Sequence, residues 1–473
     1  MNYAFSSLLL LLCPIVVFTQ GLIIDDVHYE KLPVQSQYND GSKSEFKALE
    51  GVKQHSLKAY CPEVQNQGQL STCVGWSVGY AALSMQHAIQ NEWLGQKDLI
   101  TKNAFSAHYI FNQIKTGDCY SGAYIDSAML LLQNKGNLLS LTFDNNKSAC
   151  DRQPSSEELR RAKSNSIVDY VALFRKDAPQ RVKINKVKLS LLSNQVVVTG
   201  WLVPPSFSSE GMRGLEEWTP EIDEKGELGH AMTVVGFDDA KGAFEVMNSW
   251  GTSWGNQGFI WIAYKDFAQY CNYAFQMRID ERQKREKIYT AKFNLQRFTD
   301  LSDVGEPLFE AVALKWNKKE KRYRINRRVA SIERGQVFQL LVSQVSAGAY
   351  LYAFGIEADN TLKEYFPLQQ ESPQITVPEV ELFVPEASSG LQFNKEGTEF
   401  IILLIASKPI ADYAAFLQSI KNLQVAPRQR IDRILGSAVL PLEKVNYFSR
   451  SMQIENELSG AYVIPLVLAI DVQ

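Results

Sequence analysis

"QNQGQLSTCVGWSVGYAAL", residues 65–83, sets one cysteine directly ahead of an apolar series. Ser71 and Thr72 are helix N-cap types, and Val74, Val78, Ala81, Ala82, Met85 and Ile89 follow at helical spacing. The pattern predicts an amphipathic helix with Cys73 in its first turn, where the backbone N–H groups carry partial positive charge. A free thiol has a pKa of about 8.5, whereas a helix N-terminus with a protonated histidine beside it brings the value to about 3–4. Cys73 is therefore either a small buried residue or a nucleophile. A histidine has to decide.

The chain has five: His28, His55, His87, His108 and His230. The first four sit in settings that suggest surface or satisfied core positions. His230 opens "GHAMTVVGFDDAKGAFEVMNSWG", which reads as a hairpin with strand 231–237, turn 238–242 and strand 243–248. An antiparallel pair folded about residue 240 brings residue 230 opposite residue 250 or so, and hence Asn248 beside His230. A carboxamide oxygen there accepts the imidazole N–H and fixes tautomer and ring direction. Asp238 and Asp239 read as turn residues rather than metal ligands. Gln67 lies six positions before Cys73, and its amide and the Cys73 N–H make a pair of donors for an oxyanion.

The segments "NQGQLSTC", "GHAMTVVGFDD" and "NSWGTSWGNQGFIWI" resemble the papain-like cysteine peptidases, in their bacterial branch. The resemblance covers about residues 56–280. It implies Gln67 as oxyanion donor, Cys73 as nucleophile, His230 as general acid/base and Asn248 as the orienting residue, with Trp250 shielding the Asn–His hydrogen bond. "CYSGAYIDSAMLLLQNKG", residues 119–136, resembles the family's substrate-facing loop and following helix. That makes Ser121 and Gly122 candidates for holding substrate backbone, and Ala123, Tyr124, Leu228 and Ala231 candidates for an apolar S2 pocket. The family's usual Cys three positions before the nucleophile is Leu70 here, and its Trp just after is Val74. The long helical prosegment of many members is missing, so the polar extension 22–55 is left as the segment that could cover the cleft.

The N-terminus, "MNYAFSSLLLLLCPIVVFTQG", has an apolar run from Leu8 to Phe18. It is too short for a membrane span and suits a signal-peptide core, with cleavage between Thr19 and Leu22. A buried strand or an uncleaved anchor is the alternative. The chain is then exported, to periplasm, cell surface or medium. Cys61, Cys73, Cys119, Cys150 and Cys271 remain, an odd number that fits one free thiol and two bridges. Spacing leaves three pairings open for the four besides Cys73. Cys119–Cys150 with Cys61–Cys271 is the one we carry forward.

At 473 residues the chain has room for two or three domains, with 45% hydrophobic and 21% charged residues. A formal net charge of −3 gives no general pull toward nucleic acid. "DERQKREK", 280–287, is a charged run with no core face and marks a boundary. Beyond it, residues 288–473 are β-rich, with one helical stretch, "IADYAAFLQSIKNL". Residues 333–410 resemble an uncharacterised β-rich domain of bacterial enzymes and exported proteins, which implies no function and leaves its ligand unknown. The basic, aromatic stretch "WNKKEKRYRINRR", 316–328, reads as a hairpin turning at "NKKE" rather than a nucleic-acid surface.

The expected architecture is α+β, a two-lobed papain-like domain with a helical lobe and a β-barrel-like lobe, followed by a β-sandwich-like domain. The expected activity is peptide hydrolysis of protein or peptide substrates by the Cys–His–Asn set, as an endopeptidase with no metal, no cofactor and no membrane span. A catalytically silent binding protein on the same scaffold, and an acyl transferase or peptide ligase using the same triad, are the alternatives.

Overall fold

The computed structural model describes residues 21–35, 49–145, 150–208, 210–279, 291–303, 305, 307–325, 332–346, 348–368, 371–375, 382–385, 390–445 and 463–473. The apolar run 8–18 and the charged run 280–287 lie outside the described residues.

The cysteine-bearing helix runs as three consecutive stretches, Cys73–Gly75, Trp76–Leu83 and Ser84–Gln90, with the middle one π-helical. It departs from the expected amphipathic helix. Every residue from Cys73 to Met85 is buried, because helices cover one side and a sheet the other. The glycines explain the tight fit. A Cβ on Gly75 would lie 2.3 Å from the Ala107 carbonyl oxygen, and one on Gly79 would lie 2.7 Å from Ile110. These two positions let helix Ala107–Ile114 press against the cysteine helix. The expected side-chain cap is absent: Thr72 makes no capping bond, and its hydroxyl accepts from the Trp76 indole at 3.1 Å.

The sheet behind this helix takes strands β1 (Val34–Gln35), β2 (Gln54–Ser56), β3 (Ile167–Ala172), β4 (Val197–Val203), β5 (Glu217–Trp218), β6 (Leu228–Asp238), β7 (Ala243–Met247), β8 (Phe259–Ala263) and β9 (Cys271–Ile279). Their order is β1-β3-β9-β4-β6-β7-β8-β5, with β2 on β6. Because β2 pairs at Gln54–Ser56, the sheet begins before residue 56. Alternate apolar side chains of β4, β6, β7 and β9 meet the cysteine helix in one continuous core.

The remaining strands are β10 (Lys292–Leu301), β11 (Pro307–Ala311), β12 (Leu314–Asn317), β13 (Arg322–Ile325), β14 (Val337–Ser343), β15 (Tyr350–Ile356), β16 (Leu362–Phe366), β17 (Glu371–Ser372), β18 (Leu382–Val384), β19 (Leu391–Gln392), β20 (Gly397–Ala406) and β21 (Val463–Val472). One sheet is ordered β11-β10-β14-β18 with β19 on β14, and the other β12-β13-β21-β20-β15-β16. Phe293, Leu340 and Val342 of the first share a core with Leu351, Leu403 and Leu466 of the second. This is the expected sandwich. Helices Tyr413–Asn422 and Pro427–Leu435 cover the outer face of the larger sheet through Phe416, Ile420 and Ile431. The stretch 316–325 is a hairpin turning over 318–321, and Arg324 pairs with Glu320 and Asp471.

β17 belongs to neither sandwich sheet. It pairs in parallel with β1 and so joins the first sheet.

Candidate active site

Cys73 opens its helix and is fully buried. The hairpin forms with Thr233 opposite Met247 and Asp238 opposite Ala243. That register, with one irregularity between Val234 and Gly236, brings His230 and Asn248 together. Nε2 of His230 lies 2.8 Å from Oδ1 of Asn248, so the imidazole N–H donates and the carboxamide oxygen accepts. The same oxygen takes the Ser249 N–H at 2.7 Å, which fixes the amide's orientation. Nδ1 of His230 is buried with no protein partner among the described residues. The Trp250 indole stacks on the His230 ring at 4.4 Å and closes the Asn–His pair from water.

Backbone hydrogen-bond donors of Ala231, next to His230, and of Gly21, Val74 and Cys73 act on the Cys73 thiol. Those donors favour the thiolate, but burial outweighs them and pushes the thiol up to about 11. Burial likewise pulls His230 down to about 4, against the Asn248 hydrogen bond that raises it. The low thiol pKa expected from sequence is therefore not that of this state. Burial favours the neutral form of both groups.

Gln67 is fully buried. Its amide donates to the Leu70 carbonyl at 2.9 Å and accepts from the Ser249 hydroxyl at 2.8 Å. The Gln67 backbone N–H bonds the Ser249 carbonyl at 2.7 Å, tying this loop to the segment that carries Asn248.

What closes the cleft is the segment 21–35, a strap. Leu22 donates to the Gly229 carbonyl at 3.1 Å. The Ala123 N–H bonds the Gly21 carbonyl at 2.8 Å, and the Ile23 N–H bonds the Ala123 carbonyl at 3.0 Å. Leu22 and Ala123 thus form a parallel bridge. Gly122, at φ +75°, admits the strap: a Cβ there would lie 2.5 Å from the Gly21 carbonyl oxygen. Leu22 is buried over Gly200, where an added Cβ would touch Leu22, Ile125 and Tyr273 together. Farther along, Asp26 pairs with Lys176 and accepts from Tyr273 at 2.8 Å. His28 meets Asp126 at 2.7 Å, and the Tyr29 hydroxyl bonds the Phe174 carbonyl at 2.7 Å.

Gly122, Ala123, Ala231 and Trp250 therefore line this cleft. Tyr124 borders it, its ring 6.3 Å from that of His28. The Ser121 hydroxyl bonds Asp118 at 2.7 Å and closes the loop. Leu228 is 46% exposed and pairs with Val203 at the start of its strand, while Ile125 and Tyr273 surround the Leu22 side chain beside Gly200. Ile125, Tyr273 and Gly200 come from separate elements with no shared sequence signal.

Cys119 and Cys150 are bridged, anchoring the loop before Gly122 to the chain 31 residues on. The expected Cys61–Cys271 bridge does not form. The Cys61 thiol donates to the Met85 sulfur at 3.6 Å and that of Cys271 to the Tyr273 carbonyl at 3.3 Å, each buried in its own part of the core. Among the described residues, the one His/Cys/Asp/Glu grouping with metal-like spacing is Cys119, Cys150 and Asp151. Its two sulfurs are spent on the bridge.

Residues 52–279 match the family model "Papain family cysteine protease". An uncharacterized peptidase C1-like protein of Acanthamoeba polyphaga mimivirus is 34% identical over 116 residues, 24% of this chain and 37% of the viral protein. A probable cysteine protease of Arabidopsis thaliana is 24% identical over 215 residues, 42% of this chain and 51% of the plant protein. The chain thus spans about half or less of these two relatives. Xylellain, a cysteine protease from Xylella fastidiosa, superposes with a TM-score of 0.45 at 19% identity, over 56% of this chain and 96% of its own. Procathepsin L2 of Tenebrio molitor gives 0.43 at 17% identity, over 55% of this chain and 78% of its own.

Proposed function

We propose that the chain is an exported papain-family endopeptidase using Cys73, His230 and Asn248, with Gln67 as oxyanion donor, residues 52–279 matching that family's model. The observation that carries this reading is the buried 2.8 Å His230–Asn248 contact in the same core as the helix that Cys73 opens.

When water returns to the cleft, burial no longer holds the thiol up, and the helix N-terminus and imidazolium favour the thiolate. The Cys73 proton passes to Nδ1 of His230 while Nε2 stays bonded to Asn248. The sulfur forms a bond to the peptide carbonyl carbon, and the oxyanion is met by the Gln67 amide and the Cys73 N–H. His230 returns the proton to the leaving amine as the C–N bond breaks. It then takes a proton from water, whose oxygen displaces the sulfur and frees the acid. An apolar P2 side chain occupies the pocket filled here by Leu22.

Export is supported by the Cys119–Cys150 bridge and the apolar run 8–18. Among the described residues no helix is long and apolar enough to cross a membrane. We read residues 288–473 as an accessory domain behind the peptidase domain at 56–280.

The test is peptide-library cleavage by the purified full chain, with labelling by a thiol-directed epoxide. Both are expected to vanish in Cys73→Ala. Cleavage that persists in that variant assigns the wrong nucleophile.

A further inference from the structure

Resting on the reading of Cys73 as nucleophile, we propose that the C-terminal β-rich half clamps the strap in the cleft, so that the full chain is latent until that contact loosens.

The strap lies across the cleft, its Gly21 carbonyl oxygen accepting the Ala123 N–H at 2.8 Å and its Leu22 N–H donating to the Gly229 carbonyl at 3.1 Å.

What holds it there comes from both halves of the chain. On the peptidase side are the Leu22 pocket, the Asp26–Lys176 pair, and Nη1 of Arg175, which donates to the carbonyls of Glu30 at 2.8 Å and Leu32 at 3.0 Å. The strap then ends in β1, two residues long, which meets β3 at the single pair Val34–Ala172. So short an edge strand is weak by itself. Its other edge is covered by β17, pairing Val34 with Glu371 and Gln35 with Ser372. Both β1 residues are buried as a result.

A second contact keeps β17 in place. Arg278, near the end of β9, donates from Nε to the Tyr350 hydroxyl at 3.2 Å and from Nη2 to the Ser407 carbonyl at 2.8 Å. Its guanidinium also lies over the Tyr350 ring, 4.9 Å from the centroid. The strap is thus a strand shared by the two halves. Displacing the C-terminal half removes one edge of β1 and raises the population in which the strap is out.

The experiment uses the full chain and two readouts. Alkylation of Cys73 by iodoacetamide, followed by peptide mapping, reports access alone; hydrolysis of a Leu-containing peptide reports catalysis. Leu22→Glu drives a charge out of the apolar pocket and is expected to speed alkylation at least about tenfold. Arg278→Ala cuts the contact between the halves, and Ser372→Pro takes the backbone N–H out of β17. Each is expected to speed alkylation several-fold with Cys61 and Cys271 still protected, which shows that the fold is retained. The proposal falls if Leu22→Glu leaves the parent rate unchanged, or if it speeds alkylation while both clamp variants match the parent. Fast alkylation in all three without any peptide cleavage supports the clamp and overturns the protease reading instead.

Discussion

His230 and Asn248 lie eighteen positions apart and meet at 2.8 Å under the Trp250 indole, where water cannot replace either partner. Removing the acceptor leaves a buried ring N–H unpaired, which costs about 1–3 kcal/mol. Asn248→Ala is expected to lower kcat by about 10- to 100-fold with KM little changed, because the ring is mis-aimed rather than the substrate lost. The alkaline limb of the pH–rate profile should also move down, since the imidazolium is the form that pairs with the thiolate and Asn248 raises the His230 pKa. Loss of binding with unchanged kcat would assign Asn248 to substrate contact.

Burial lowers His230 and His87 from 6.5 to about 4, and it lowers His55 as well. The unfolded chain takes up these protons near pH 6.5, whereas the folded chain refuses them until about pH 4. Stability is therefore lost as pH falls through that window and is unaffected by these groups above it. Melting temperature should drop between pH 7.5 and 5, and His87→Gln should blunt the drop without touching the catalytic set. A melting temperature that rises toward pH 5 would contradict the assignment.

The hairpin and the cysteine helix were legible because each carries a period, a turn and a spacing that local physics fixes. From "DDAKG" alone, His230 falls beside Asn248. The strap was not. Gly21 to Ile24 hold their place through single bridges to Ala123 and Gly229, and a two- or three-residue pairing leaves no periodic mark. The pocket residues Gly200, Ile125 and Tyr273 escaped for a related reason: they converge only in the folded chain. Counting cysteines overshot. Cys61 and Cys271 are buried hydrophobes facing Met85 and the Tyr273 carbonyl, and an odd number of cysteines says nothing about which ones face each other. Helix Pro427–Leu435 was missed because its core contacts are few, chiefly Ile431 amid arginines.

The Cys119–Cys150 bridge restrains the loop before Gly122 from outside the cleft. Closing a loop of this length is worth about 2–4 kcal/mol. Replacing both cysteines by alanine is expected to lower the melting temperature by several degrees and to raise KM more than it lowers kcat. Alkylation of the unreduced, unfolded chain should modify Cys61, Cys73 and Cys271 but spare Cys119 and Cys150. Modification of all five would remove the bridge from the argument.

Gly200 sets the depth of the pocket that Leu22 fills. A Cβ there would lie 2.9 Å from Leu22 Cδ2 and 3.1 Å from both Ile125 Cδ1 and Tyr273 Cδ2. Gly200→Ala, made in the Leu22→Glu background so that the cleft is open, therefore leaves too little room for a branched side chain. Hydrolysis of peptides with Leu at P2 is expected to fall about 10- to 200-fold in kcat/KM relative to peptides with Ala there, the range one methylene commands in an apolar pocket. The catalytic groups are untouched, so the Ala-bearing peptide serves as the internal control. Should both peptides slow equally, Leu22 does not mark the P2 site, and specificity must be sought elsewhere in the cleft.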